Sequence, residues 1–324
     1  MPNPEAPARQ VMQHGGPMSI VSRAKLRLYS RPALDEAWYL LNYYLRPSRS
    51  CTKRIQGAKM RLDLNDPGIS RDLFLYGHRE PECTRIYREE LAPGMHVLDI
   101  GANVGYFVFI GAQVVGPQGK IYAVEPAPKN FERLKVNLAL NTLAPQIETF
   151  NMAVADRVGK VRFALAEASN HHCLAVEGSD AESIDVDATT IDELIGDRRV
   201  DMLRMDTEGS EWVILQGMRG LLARGTPLKM FVEVHPKLIR QYHGDIEEWL
   251  RILAAAGFRV KYFVKWIPGT HSVVPYVMGR MAKEHAVRFD QPLDRLLGND
   301  ETSRLLLSRS GHAHEAGYKL FLER

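Results

Sequence analysis

The chain has 324 residues, 45% of them hydrophobic and 25% charged, with 42 basic and 39 acidic side chains and a formal net charge of +3. That composition belongs to a globular chain long enough to bury a full core, and the near balance of interspersed charges excludes a dedicated nucleic-acid surface. Cys51, Cys83 and Cys173 have no C-x-x-C spacing, so neither a disulfide framework nor a structural zinc site is expected, and a reducing, cytoplasmic setting is.

Residues 1–17 are polar and rich in Pro and Gly, without the apolar stretch of a signal peptide, and read as a disordered lead-in. Residues 18–57 form an N-terminal helical extension, with helical periodicity from Met18 to Leu45 and Arg23, Lys25, Arg27 and Arg31 ahead of the aromatic run "WYLLNYYL". That run is far short of the roughly 20 residues that span a bilayer. The expected arrangement packs this helix on the main domain; a peripheral membrane contact through 18–45, or a homodimer through the aromatic run, are the alternatives.

The main domain is expected over 58–264. Residues 51–65 alternate as a hairpin, and 68–77 and 82–91 read as helices, the second stopped by Pro93-Gly94. Then strands and helices alternate: strand 96–100, helix 104–115, strand 120–125, helix 128–141, strand 147–154, a hairpin strand 160–166, strand 200–206, helix 210–223, strand 228–234, helix 245–256 and strand 258–264. This rhythm predicts an α/β fold, a doubly wound and mostly parallel sheet covered on both faces. In the C-terminal segment, 265–324, residues 265–315 read as irregular and 318–323 as a final strand, antiparallel at or near an edge.

In such a sheet, ligands bind beyond the carboxyl ends of the strands where strand order reverses. The first strand-to-helix turn, in "VLDIGANVGYF" at 97–107, carries Gly101, Asn103 and Gly105, all tolerant of the backbone angles a tight turn needs. A dinucleotide fingerprint would put glycines where Asn103 and Tyr106 stand, and no G-K-[ST] follows, which weakens NAD and ATP together. Twenty residues beyond Gly105, Glu125-Pro126 ends the second strand, where a carboxylate accepts hydrogen bonds from both ribose hydroxyls. Asp99, Glu125, Asp206 and Glu233 all fall at or near strand ends, an acidic rim that repels phosphate and suits a cation. S-adenosylmethionine meets each requirement: adenosine, a sulfonium and an ammonium, no phosphate.

"RMDTEGSEWVILQGM" supplies a second turn, with Asp206 and Glu208 in excess of what a helix start needs. Together with "VLDIGANVGYF", "AVEPAPKNFERLKVNLALN" and "NMAVAD", in that order, it resembles the FkbM-type S-adenosylmethionine-dependent methyltransferases over roughly residues 58–264. The resemblance implies a Rossmann-like class I methyltransferase fold and O-methyl transfer to a sugar, glycolipid or polyketide-like small molecule. It implies cofactor contacts along the first turn, Asp99, Gly101, Asn103, Gly105, Tyr106 and Phe107; at Glu125 and Pro126; at Asn151, Met152, Ala153 and Asp156 near the adenine; and at Asp206 beneath the methyl group. Thr207 stands where members usually have an aliphatic residue.

A base that takes the acceptor's proton is sought among Asp206, Glu208, Glu233 and His235, with Glu208 or His235 expected. Asp206, Glu233 and His235 could also hold Mg²⁺ or Mn²⁺, but they form no compact ligand motif, and an acidic floor without a metal is favoured. "SNHHC" at 169–173 reads as a flap over the substrate or a plain loop. An NAD or nucleotide-sugar enzyme, and a domain that binds S-adenosylmethionine without turnover, are the rival readings.

Overall fold

The computed structural model describes residues 32–143, 146–176, 181–267, 283–293 and 318–324; the expected lead-in and residues 18–31 of the extension lie outside them. The described extension is a helix, α1 (Pro32–Leu45), followed by the antiparallel hairpin β1 (Ser50–Ile55) and β2 (Ala58–Asp63), which pair from Ser50↔Asp63 to Ile55↔Ala58. Alternation along β2 buries Ala58, Met60 and Leu62, and these join the core that contains Val97, Phe107 and Phe231. The Tyr39 hydroxyl donates to the Leu64 carbonyl at 2.5 Å and Glu36 pairs with Arg71, so one face of α1 is fixed to the domain. Helices α2 (Ile69–Tyr76) and α3 (Pro81–Glu90) then lead into the sheet.

Eight strands form that sheet: β3 (His96–Ile100), β4 (Lys120–Val124), β5 (Ile147–Phe150), β10 (Met202–Met205), β11 (Lys229–Val234), β12 (Arg259–Ile267), β13 (Lys283–Pro292) and β14 (Tyr318–Glu323), in the order β13-β12-β14-β11-β10-β3-β4-β5. Strands β3, β4, β5, β10 and β11 are mutually parallel, while β14 runs antiparallel between β11 and β12. This is the doubly wound, mostly parallel α/β sheet expected. Order reverses between β3 and β10, which places the switch-point crevice at Gly101 and Asp206. One core packs Tyr87, Phe107, Phe231 and Phe321, the last two stacked at 4.0 Å; the other packs Leu203, Met205 and Trp249.

Four sequence expectations are corrected. The strand expected over 147–154 is two strands, because the Asn151 amide turns back to donate to the Glu125 and Pro126 carbonyls, and β6 (Ala153–Val154) pairs elsewhere. It belongs to a four-stranded sheet, β6-β9-β7-β8, with β7 (Gly159–Ala164), β8 (Cys173–Leu174) and β9 (Ser183–Thr189). The helix expected over 210–223 is α7 (Glu211–Gln216) and α8 (Arg219–Ala223), following α6 (Ile191–Ile195); at Gly217 a Cβ would lie 2.2 Å from the Ala155 carbonyl oxygen, and the chain bends there. Residues 283–292, read as irregular, are a strand. Finally, β14, expected antiparallel at or near an edge, is antiparallel but inserts third from the edge between β11 and β12, with Lys319, Leu320, Phe321 and Leu322 all buried. The short helix α9 (Pro236–Gln241) and the helix α10 (Ile246–Ala255) complete the layers.

Candidate active site

Gly101, Asn103 and Gly105 adopt φ of 85°, 50° and 98°. The ends of β3 and β10 touch here: a Cβ on Gly101 would lie 2.1 Å from the Asp206 carbonyl oxygen. Gly101→Ala therefore meets both strain and a backbone clash. We expect it to lower stability by about 3 kcal/mol, whereas Gly116→Ala, also at positive φ but with nothing within 4 Å, should lose only about 1 kcal/mol; urea unfolding of the two variants makes the comparison.

The turn shapes a cleft between the carboxyl ends of β3, β4 and β10, lined there by Ile100, Gly101, Val124, Glu125 and Asp206. Glu125 sits at its head, 4% exposed, with Oε2 accepting the Asn103 N–H at 2.7 Å and Oε1 the Ala127 N–H at 2.9 Å. A carboxylate offers about four acceptor sites, so capacity remains for a ligand hydroxyl. Burial pushes the Glu125 carboxyl up to about 7, and the Ala127 and Asn103 N–H groups and the Asn130 side chain offset part of that rise. The walls are apolar, with Val124, Met152, Val154, Phe163, Leu174 and Ile214, and the lining contains no lysine or arginine.

A roof closes the cleft from the 167–176 segment. Ser169, Asn170 and His172 line it, and the Ser169 carbonyl accepts from the Asn103 and Asn130 amides at 2.8 and 2.9 Å. On its other side Ser169 donates its N–H and hydroxyl to Asp66 at 3.1 and 2.8 Å, and Asp66 also accepts the Gly68 and Ser70 N–H groups at the start of α2.

Opposite Glu125, Asp206, Thr207, Glu208 and Ser210 line the cleft. Glu208 has φ 50°, a strained angle for a side chain of its size, and the next residue, Gly209, passes close to Leu238, 2.2 Å from where a Cβ would lie. His235 stands behind Glu208: its Nε2 is 3.5 Å from Glu208 and 3.7 Å from Glu233, and its Nδ1 is 3.2 Å from the fully buried Glu211. Thr207 shares that role, its hydroxyl donating to Glu211 at 3.3 Å. Burial opposes a charge on His235, but the Glu211 hydrogen bond and the Glu211, Glu233 and Glu208 carboxylates outweigh it and raise its pKa to about 10. It is an imidazolium at neutral pH and has no lone pair for an acceptor's proton. Glu208 is raised to about 8, by burial first, with His235 opposing and Asp206, Glu233 and Glu211 adding to the rise.

The acidic rim is not bare. Arg204, in the middle of the central strand β10, pairs with Asp99 at 2.8 Å and Asp206 at 2.7 Å, and its guanidinium lies 4.2 Å from the Phe107 ring centre. Burial would raise Asp206, but Arg204, and after it Lys319, His235 and Arg79, hold it down at about 2. Lys319 pairs with Glu80 and, at 2.7 Å, with Glu233. Among the described residues Glu80, Asp206 and Glu233 bring carboxylate oxygens within 4.8 Å of one another. The Lys319 ammonium already bridges two of the three, and His235, named with Asp206 and Glu233 in the less favoured metal alternative, faces carboxylates on both of its nitrogens.

Of the expected cofactor residues, Gly101, Asn103, Glu125, Pro126, Met152, Ala153 and Asp206 line the cleft. The others stand elsewhere. Asp99 is fully buried on Arg204, so it does not belong to the rim. Gly105 starts α4 (Tyr106–Val115), where a Cβ would lie 2.8 Å from Leu134. The Tyr106 hydroxyl donates to the Arg79 carbonyl, Phe107 packs between Tyr87 and Phe231, and Asn151 braces the Glu125 turn. Asp156 pairs with Arg157 at 3.1 Å beside a different cavity. Arg79, Glu80, Arg204 and Lys319 were not anticipated; the signal for Arg204 and Lys319 is a charge interrupting an apolar strand, in "MLRM" and "YKLFLE", while Ser169 belongs to the "SNHHC" segment read as a flap or a loop.

Fold and cleft together define a doubly wound domain with a crevice at its switch point whose lining holds acids and no lysine or arginine. The chain belongs to the methyltransferase FkbM domain family, which residues 99–260 match. Among its relatives, the 31-O-demethyl-FK506 methyltransferase FkbM of Streptomyces tacrolimicus is 37% identical over 89 residues, 26% of this chain and 32% of that protein. Protein-L-isoaspartate O-methyltransferase 1 of Arabidopsis thaliana is 29% identical over 99 residues, 31% of this chain and 42% of that protein. The crystal structure of a methyltransferase FkbM from Methylobacillus flagellatus KT aligns with a TM-score of 0.32 and 18% identity, over 49% of this chain and 41% of that one. The chain thus matches less than half the length of each of these proteins.

Proposed function

We propose that the protein transfers the methyl group of S-adenosylmethionine to a hydroxyl of a small molecule, a carbohydrate, glycolipid or polyketide-like compound. The observation that carries this reading is Glu125, buried at the head of a cleft whose lining holds acids and no lysine or arginine. A diphosphate would find no lysine or arginine in the lining to receive it, whereas a ribose and a cationic tail meet the carboxyl groups of Glu125, Asp206 and Glu208. The hydroxyl class follows the Streptomyces relative, whose name gives an O-demethyl compound as its substrate.

When bound, S-adenosylmethionine supplies a methyl carbon activated by its positive sulfur. Glu125 holds the ribose hydroxyls, and Val124, Met152, Val154 and Ile214 offer the purine an apolar slot. Asp206, kept anionic by Arg204, faces the cationic end. Glu208 takes the acceptor's proton, and the His235 imidazolium fixes the orientation of that carboxylate. Lys319 supplies internally the positive charge that a metal would bring to Glu80 and Glu233, so no step passes through a metal.

Thermal unfolding tests the cofactor. At about 100 times its Kd, S-adenosylhomocysteine should add roughly 2.7 kcal/mol of stability, and NAD and ATP none. Glu125→Ala should abolish that gain. Because hydroxyl donors favour the charged carboxylate, affinity should strengthen as pH rises through about 7, the pKa of unliganded Glu125. Stabilisation by NAD instead would overturn the reading.

A further inference from the structure

We infer that the outward face of α1 docks the protein on an anionic lipid surface. Leu34, Trp38, Leu41 and Leu45 recur at the spacing of one helix face and are 52%, 54%, 49% and 70% exposed, with Tyr44 beside them at 75%. Six of the nine large apolar side chains exposed among the described residues lie on this one helix. The polar groups of α1 turn the other way: Asp35 and Asn42 are buried, and Glu36 is bound to Arg71. Three turns of helix thus present aliphatic and aromatic groups and no charge, which is costly in water and unlike the surface of a helix that ends at solvent.

Charge decides what covers that face. Arg31 directly precedes α1, with Arg27, Lys25 and Arg23 upstream in the sequence, and the exposed Arg46 and Arg49 directly follow it. Cations at both ends would meet cations if a second copy packed α1 against α1 in either orientation. Phosphate headgroups neutralise both ends while the acyl boundary takes Leu34, Trp38, Leu41 and Leu45. With 14 residues, α1 lies on such a surface and does not cross it, a span needing roughly 20.

Co-sedimentation of the full chain with vesicles of phosphatidylcholine mixed with phosphatidylglycerol, and with phosphatidylcholine alone, is the test. We expect binding to the mixed vesicles, weakened by salt. Trp38→Glu/Leu41→Glu should reduce it by more than about tenfold, and Arg46→Glu/Arg49→Glu by roughly fivefold per cation removed. The Trp38/Leu41 variant should keep the native unfolding midpoint, since it changes exposed groups alone. No sedimentation of the native chain, or undiminished sedimentation of the Trp38/Leu41 variant, would overturn the inference. So would a native dimer in sedimentation velocity that this variant converts to monomer, which assigns the face to a second copy.

Discussion

Glu208→Gln should lower kcat by roughly 10²- to 10⁴-fold, the range a positioned base contributes, while leaving affinity for S-adenosylhomocysteine nearly unchanged. On the proposed function, the native protein should show activity rising with pH to a plateau above about 8, since the carboxyl raised to about 8 must lose its proton before it can accept another. The limb should be absent from the residual activity of the variant. His235 separates this assignment from the competing one. As an imidazolium it lowers the Glu208 pKa, so His235→Asn should shift the limb to higher pH and preserve much of the plateau rate. If His235→Asn lost all activity at every pH while Glu208→Gln kept the native rate, the two roles would have to be exchanged. The assay is initial rate of methyl transfer to a hydroxyl acceptor against pH.

The second large effect concerns stability. Lys319 is 1% exposed and its ammonium faces Glu80 and Glu233, with Asp206 contributing to the same field. Lys319→Met keeps the volume of the stem and removes the charge, leaving buried carboxylates that have lost their bridging cation. Breaking a buried pair from one side costs about 3–5 kcal/mol. The sign of its pH dependence follows from Glu80: burial alone would raise its pKa, but Lys319 and Arg79 hold it below the ordinary value. That contribution is fully present above the unfolded pKa of roughly 4.3 and is lost as pH falls below it. The gap between native protein and variant should therefore be largest near neutrality and shrink in acid. Urea unfolding at both pH values measures it; an equal gap at each would show that the loss comes from packing alone.

The Lys319 ladder also marks where the sequence stops being legible. The switch-point turn could be read directly, because Gly101, Asn103 and Glu125 act through backbone angle and position along a strand, both of which are local. The parallel strands were readable as short apolar runs. What escaped was non-local: that "YKLFLE" inserts between two distant strands, that Asn151 folds a continuous apolar run into two sheets, and that Arg204 neutralises two of the four acids that sequence alone puts on one rim. Carboxylates can be counted along a chain, but their countercharges arrive from other segments: Arg204 lies 105 residues from Asp99, and Lys319 lies 239 from Glu80. For the same reason His235 looked like a base by its intrinsic pKa, and three surrounding carboxylates make it a permanent cation at neutral pH.

The Ser169 carbonyl hangs from two amides, and one of them, Asn103, belongs to the very turn that shapes the nucleoside cleft. Whatever enters below thus shares a side chain with the cover above, and the cover in turn is tied through Asp66 to the first residues of α2. Thermodynamic reciprocity then fixes the traffic: if an occupant makes the cover harder to lift, a lifted cover loosens the occupant by the same factor. Asp66, which lies outside the lining of the cleft, would thus tune how readily an occupant enters and leaves.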